Sequence, residues 1–226
     1  HKGRSHQALL EKGVSVPETI VLSRSDMANF KITDEVKRRV GTPFVVKPAV
    51  GFGGIGVIRE ASNEQDLRQS VEEAPESDAF LIQQKVTMKD LGQHKGWFRM
   101  FYICKTVIAC WWDPASHQYH MVTPGQVKKY KLSPLYQIVK KIARVSGMKK
   151  FSSEICLDQS GKFYAVDYIN AAPDMNPQSY YDSGVPDEVV RYVAWLLFYE
   201  TMSTIKRKQG FFDVDLSEVD EVRKNL

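Results

Sequence analysis

Between Phe44 and Ile58 the chain reads Phe-Val-Val-Lys-Pro-Ala-Val-Gly-Phe-Gly-Gly-Ile-Gly-Val-Ile, an apolar stretch closed by Lys47-Pro48 and followed by four glycines in positions 51–56. Three apolar residues before a lysine read as a buried strand, and Val57-Ile58 resumes the strand pattern beyond the glycines. A lysine amid Phe-Val-Val needs a partner if its ammonium is buried. Glycines let backbone N–H groups approach phosphate oxygens without interference from a Cβ. The order of the parts excludes two other phosphate-binding arrangements. A P-loop carries its lysine after the glycines, and here it comes before them. A dinucleotide turn leads into a helix, whereas Gly51, Gly53 and Gly56 precede a strand. What remains is a phosphate-binding loop of another kind, or a glycine-rich hairpin with an incidental lysine.

The surrounding pattern is mixed. Residues 4–12 read as a helix ended by Gly13, 16–22 as a strand, and Ser23 as the cap of a helical stretch toward Val40, stopped by Gly41 and Pro43. Asn63 caps a helix through Glu73, and Ala79–Gln84 is a further strand. Strands follow at 98–102 and 106–112, with a turn at Lys105, then a long loop over 113–131 and a helix over 133–147. Strands 152–158 and 162–169 form a hairpin, 170–184 is a loop, 186–205 an amphipathic helix, and Asp213–Leu226 a charged peripheral helix. Strands running consecutively between helices indicate an α+β or mixed α/β class rather than a purely parallel sheet.

Composition narrows the possibilities. The 226 residues are 43% hydrophobic, which suffices for a sizeable core, and 26% charged with both signs mixed, which excludes a disordered or fibrous chain. The longest apolar approach, Val193–Tyr199, is too short to cross a bilayer. Three cysteines (Cys104, Cys110 and Cys156) show no CxxC spacing, which fits a reduced, cytoplasmic compartment. From Pro114 to Ser153 there is no acid, while Lys128, Lys129, Lys131, Lys140, Lys141, Arg144, Lys149 and Lys150 supply eight bases. That pole suits an anionic partner; the sparse interleaving of aromatics over 126–150, Tyr130 and Tyr136 alone, disfavours nucleic acid.

The second chemical signal is acidic. A Ser160-Gly161 turn of two residues would pair 157 with 164 and 154 with 167, placing Glu154 and Asp167 opposite each other. Like charges so placed repel unless a cation lies between them. Oxygen ligands without a nearby His or Cys point to Mg²⁺, whose usual companions are substrate phosphates. Asn170 could add an amide oxygen, or merely turn the chain before Pro173. A plain exposed hairpin with scattered acids is the alternative.

Glycine loop and acidic hairpin together resemble the ATP-grasp superfamily, in particular the carboxylate–amine ligases of the RimK-like and glutathione synthetase-like kind. Phe44–Val57 resembles the family's strand–Lys-Pro–glycine loop element, and the spacing of 13 between Glu154 and Asp167 matches its two metal-binding acids. His1-Lys2, with the helix after it, resembles the family's nucleotide-binding lysine. Leu81–Val86 resembles the hinge whose backbone reads adenine, and Trp97–Phe101 the strand whose arginine faces the transferred phosphoryl group.

The resemblance covers about residues 1–200 and implies an ATP-grasp fold, two α/β lobes with ATP between them: 1–84 with the glycine loop, 85–205 with the metal and substrate site, and 206–226 as a charged tail. It implies ATP and Mg²⁺ as cofactors. Lys2, Lys47, Gly51, Gly53, Gly54 and Gly56 would hold phosphates, Gln83, Gln84, Lys85 and Val86 the base, and Glu154, Asp167 and Asn170 the metal. Arg99 and Lys47 would be catalytic. A small anionic carboxylate would be activated as an acyl phosphate and joined to an amine acceptor, with Lys128, Lys129 and Lys131 suiting the anion. A phosphotransferase on a small anionic acceptor, or a decayed ATP-binding module, are the alternatives; a homo-oligomer is left open.

The sequence departs from the family in three ways. Asp167-Tyr168-Ile169-Asn170 is one residue longer than the family's Glu-x-Asn, so Asn170 reaches the face of Asp167 only through a bulge. Gln84 stands where the family often has Glu. The family's small N-terminal domain is expected to be missing, so that the chain would be a fragment or the ordered remainder of a longer protein. Blander readings cover the rest. His117 and His120 are expected to be solvated, Cys156 a small buried hydrophobe, Trp195–Phe198 a helix face packed on the sheet, and Trp111 and Trp112 on opposite faces of one strand, while Tyr180 and Tyr181 could line an acceptor pocket.

Overall fold

Two antiparallel sheets organise the chain. A computed structural model describes residues 2–209 apart from Phe52. The first sheet contains β1 (Thr19–Ser23), β2 (Phe44–Pro48), β3 (Ile58–Ala61) and β4 (Ala79–Gln84), in the order β1-β4-β2-β3. Strand β4 lies between β1 and β2 and is buried along nearly its whole length, so its sequence is an apolar run rather than an alternation. The second sheet contains β5 (Trp97–Ile103), β6 (Thr106–Trp112), β7 (Tyr119–Met121), β8 (Lys150–Leu157) and β9 (Phe163–Asn170), in the order β7-β6-β5-β8-β9.

Helix ends follow local chemistry. In α4 (Glu64–Glu73), Asn63 accepts from the backbone N–H of Asp66 and the Asp66 carboxylate accepts in return, a reciprocal cap. The stretch expected as one helix from Ser23 to Val40 is two. Ser23 caps α2 (Arg24–Asn29), Phe30 is extended, and Thr33 starts α3 (Asp34–Val40) with its own side-chain cap. Two good caps ten residues apart out-compete a continuous helix. Strand β1 begins at Thr19 rather than at 16, just after Pro17. The loop expected over 113–131 contains β7 and α5 (Pro124–Lys129), the latter closed by a Thr123–Gln126 box. Helix α6 (Ser133–Ser146) stops at Gly147, which is left-handed at φ 68.

Three large apolar cores and a small cluster of Ala49, Ala79 and Leu81 result among the described residues. Leu9 of α1 (Lys2–Glu11), together with Leu135, Val139 and Ile142 of α6, covers one face of the second sheet at Phe98, Met100, Trp111, Phe151 and Ile155. The opposite face, at Phe101, Ile103, Ile108 and Cys110, lies against Val189, Val193 and Leu196 of α7 (Asp187–Gln209). Phe44, Val46, Phe80 and Ile82 of the first sheet pack with Met27, Val40 and Leu67. Of the expected packing face Trp195–Phe198, Leu196 is buried and Trp195 and Leu197 pack half-buried against the same core, Trp195 also stacking between Tyr192 and Tyr199, whereas Phe198 is 56% exposed. The expected helix over Asp213–Leu226 lies outside the described residues.

Candidate active site

One register row crosses all five strands of the second sheet: Met121 of β7, Cys110 of β6, Arg99 of β5, Glu154 of β8 and Asp167 of β9. Glu154 and Asp167 are Cα partners, as the turn arithmetic expects, but by a different route. The turn spans Asp158–Lys162 rather than Ser160-Gly161 alone, with the Asp158 carboxylate accepting from Ser160 Oγ (2.7 Å) and the Lys162 N–H (2.8 Å). Pairing therefore begins one step off, at Leu157 with Phe163, and a bulge at Val166 restores the match. A second shift, between Glu154 and Ser152, absorbs the additional residue of Asp-Tyr-Ile-Asn and sets Asn170 opposite Ser152. Ser152 and Glu154 share a face, so Asn170 comes to the face of Asp167. The Asn170 amide oxygen is already engaged, accepting from the Ala172 N–H at 3.1 Å, which is the turn-forming role.

The row is polar and largely desolvated. Arg99 Nη1 donates to Glu154 Oε1 at 2.5 Å and Trp97 Nε1 donates to Glu154 Oε2 at 3.1 Å. Burial works against the Arg99 charge, but the Glu154 carboxylate beside it prevails and raises its pKa above the ordinary value. The Arg99 guanidinium sits 5.5 Å over the Trp112 ring. Tyr119 also bonds to Arg99 and is pushed up by burial. Two buried atoms here have no hydrogen-bond partner, Arg99 Nε and Asp167 Oδ1.

Two lysines approach the acids. Lys2 Nζ on α1 lies 3.7 Å from Asp167 Oδ1. Lys47 at the end of β2 is 7% exposed and donates to Gln83 Oε1 and to the Val166 carbonyl, both at 2.7 Å. The bulge that aligns Asp167 with Glu154 leaves Val166 without a register partner, which frees that carbonyl for the lysine. Burial pulls the Lys47 pKa down to about 8, against the pull of Asp167 the other way.

The glycine loop follows β2. Gly53 and Gly54 are exposed with φ of 65 and 76, conformations that L side chains rarely adopt. Gly56 is buried against α4, where a Cβ would lie 2.8 Å from Ala74 Cβ. Gly51 is exposed. Beyond β4, Gln84, Lys85, Val86 and Thr87 line a cavity of about 320 Å³ with Asp158, Gln159 and Tyr164 of the β8–β9 turn region. Lys85 pairs with Glu60. Gln83 is not in that cavity: it is 3% exposed and points inward to Lys47.

A family model described as the RimK-like ATP-grasp domain matches residues 1–185. The chain belongs to this family. A comparison with curated proteins finds no match. Among solved structures, this ATP-grasp chain is similar to the ATP-grasp ligase PsnB complexed with precursor peptide PsnA2 and AMPPNP (TM-score 0.56, 14% identity, covering 87% of this chain and 57% of that one). The D-alanine–D-alanine ligase from Coxiella burnetii (0.57, 15%, 91% and 60%) is also similar. So is the VanG D-Ala:D-Ser ligase from Enterococcus faecalis (0.55, 13%, 76% and 52%). The chain thus spans between about half and three fifths of the length of these proteins, and the likeness is one of fold.

Other residues of this ATP-grasp chain are placed differently from expectation. Lys128 and Lys129 lie on α5, whose Val127 and Tyr130 pack on the α6 side of the sheet, and Lys129 acts on His94, which stacks on Trp111 at 4.3 Å. Trp111 and Trp112 do face opposite ways, so those lysines sit on the face away from Arg99 and Glu154. His117 is exposed, as expected, and its ring stacks on Trp112 at 5.3 Å, on the side of Arg99. Tyr180 and Tyr181 are exposed at 80% and 55% and are not among the residues lining the cavity at Gln84–Thr87. Cys156 is a buried thiol, pushed up to about 12 by burial. Sequence reasoning gave no site role to Trp97, Tyr119, His6, Thr19 or Tyr168; only the register of Arg99 with Glu154 could have signalled Trp97.

Proposed function

We propose that this chain carries the nucleotide-binding and phosphoryl-transfer centre of an ATP- and Mg²⁺-dependent carboxylate–amine ligase, with one lobe within residues 1–84 and the other over 85–205, α1 packing on the sheet of the latter. The observation that carries the reading is the meeting of Lys47 and Lys2 with the Glu154–Asp167 row, where Asp167 Oδ1 is buried without a hydrogen bond and has the Lys2 ammonium 3.7 Å away. A buried carboxylate oxygen that accepts no hydrogen bond is costly unless cations lie close to it, and a loose contact of 3.7 Å leaves room for a second one.

The residues fit a magnesium ion. Glu154 and Asp167 offer hard oxygens, and Asn170 can add a third if its amide leaves Ala172. Among the described residues no group of three or more His, Cys, Asp or Glu side chains gathers, so the remaining ligands would be phosphate oxygens and water, the usual state of Mg²⁺. When bound, the ion supplies charge neutralisation on the phosphates.

This chain's own residues would do the rest. Lys2 and Lys47 hold the α- and β-phosphates, and the backbone at Gly51, Gly53, Gly54 and Gly56 covers them. The 320 Å³ cavity at Gln84–Thr87 takes the base. Arg99 stands where charge spreads over the equatorial oxygens of the transferred group. A substrate carboxylate oxygen attacks the γ-phosphorus, the bond to the β–γ bridging oxygen breaks, and ADP leaves. An amine then attacks the acyl phosphate, giving an amide, inorganic phosphate and a proton. Loop closure keeps water from that intermediate. The three cysteines are free, in keeping with a reducing compartment such as the cytoplasm.

The test is ADP release over panels of carboxylates and amines, with hydroxylamine as a trap. Amine-dependent turnover and a hydroxamate product are expected. ADP release that requires an acceptor but gives neither hydroxamate nor amide would overturn ligation in favour of simple phosphotransfer.

A further inference from the structure

Behind Lys47 lies a buried polar chain that the chemistry above does not use. Gln83 Nε2 donates to Thr19 Oγ1 at 3.0 Å and to the Tyr168 hydroxyl at 2.9 Å, and Gln83 Oε1 accepts from Lys47 Nζ at 2.7 Å. The orientation of the amide follows from counting donors. Thr19 Oγ1 gives its proton to the Pro17 carbonyl at 2.9 Å, so toward Gln83 it can only accept. The amide nitrogen must face Thr19, and the oxygen must then face the lysine. The Tyr168 hydroxyl accepts from Gln83 and shares a hydrogen bond of 2.7 Å with His6 Nδ1. Desolvation and the nearby Lys47 lower the His6 pKa, which favours the neutral ring. The chain links α1, β1, β2, β4 and β9, and so ties the two sheets together.

We infer that Gln83 is the positioning residue of Lys47: Thr19 and Tyr168, with His6 behind them, fix its amide oxygen so that the ammonium is held at one place in the cleft. This rests on the reading of Lys47 as a phosphate-binding group. It removes the Gln83 side chain from the base site, since both amide hydrogens and the oxygen are already committed. A lysine ammonium has three donors on a flexible stem. Gln83 Oε1 and the Val166 carbonyl take two of them, leaving one for a phosphate oxygen. The grip on nucleotide is therefore set partly by residues that never touch it.

The experiment is a double-mutant cycle read by calorimetric titration with Mg·AMPPNP, each variant being checked by its thermal unfolding. Gln83→Leu is expected to weaken binding about tenfold, and Tyr168→Phe, which keeps the ring and removes only the hydroxyl, about three- to fivefold, the size expected for one or two hydrogen bonds. In a Lys47→Met background neither substitution should weaken binding further, because the group they position is gone. Equal losses in both backgrounds would show a merely structural role and overturn the inference while leaving the nucleotide reading standing. Unchanged binding in Lys47→Met alone would overturn both. If Gln83→Leu does not fold, Tyr168→Phe decides by the same comparison.

Discussion

Replacing Lys47 by Met should make the fold more tolerant of neutral pH relative to high pH, by an amount set by desolvation. The Lys47 ammonium is buried between β2 and β9, and burial brings its pKa from the ordinary 10.5 to about 8. In the unfolded chain the amine titrates near 10.5, so between pH 8 and 10.5 the unfolded state holds a proton that the folded state has released. Stability contributed by this group therefore rises with pH across that window. Below pH 8 both states are protonated and the burial penalty is present in full. The gap corresponds to about 3 kcal/mol, from about 1.4 kcal/mol for each pH unit separating the two titrations. Urea unfolding of wild type and Lys47→Met at pH 7 and pH 10.5 reads it, because the difference between the two proteins cancels the titrating groups that do not interact with Lys47. Wild type should gain about 2–3 kcal/mol on the variant over that interval. Saturating Mg·AMPPNP should abolish the gain, since a phosphate partner favours the charged amine. A difference between the two proteins that does not change with pH would refute the claim that Lys47 is desolvated in the folded state.

Further outcomes follow from the same contacts. Glu154→Gln leaves the Arg99 guanidinium, 13% exposed, with only neutral acceptors; stability measured by urea unfolding should fall by about 1–3 kcal/mol, and any Mg²⁺-dependent rise in melting temperature should vanish. Gly56→Ala would place a methyl 2.8 Å from Ala74 Cβ at a φ of 71, and should lower stability by about 1–3 kcal/mol in thermal melts. Asn63→Ala removes the reciprocal cap of α4 and should cost about 1 kcal/mol without altering nucleotide binding. Trp97→Phe removes the donor to Glu154 Oε2 while keeping a ring, and should affect turnover more than stability.

Much of this was legible because it is local. The cap at Asn63, the stop at Gly147 and the apolar run of β4 depend on a few adjacent residues. The Glu154–Asp167 pairing was legible for a weaker reason: the expected two-residue turn is wrong by one step, and the bulge at Val166 compensates. Such a bulge is invisible in Phe-Tyr-Ala-Val-Asp, because its cause is the demand of the row it serves. The division of the helix at Phe30 and the formation of α5 turn on which of several nearby caps wins. Least legible was the Gln83 chain. His6 and Tyr168 are 162 positions apart, and no spacing rule connects them. The same holds for Lys128 and Lys129, whose face of the sheet is fixed by the packing of Val127 and Tyr130.

The central claim is that Lys2 and Lys47 grip a triphosphate whose cation rests on the Glu154–Asp167 row. A crystal structure with Mg²⁺ and a non-hydrolysable ATP analogue tests it most directly. The expected density shows the ion bound by oxygens of both carboxylates, the phosphates between it and the two lysine ammonium groups, and the base beside Gln84–Thr87. Nucleotide bound away from the row, or an ion with neither carboxylate among its ligands, would contradict it.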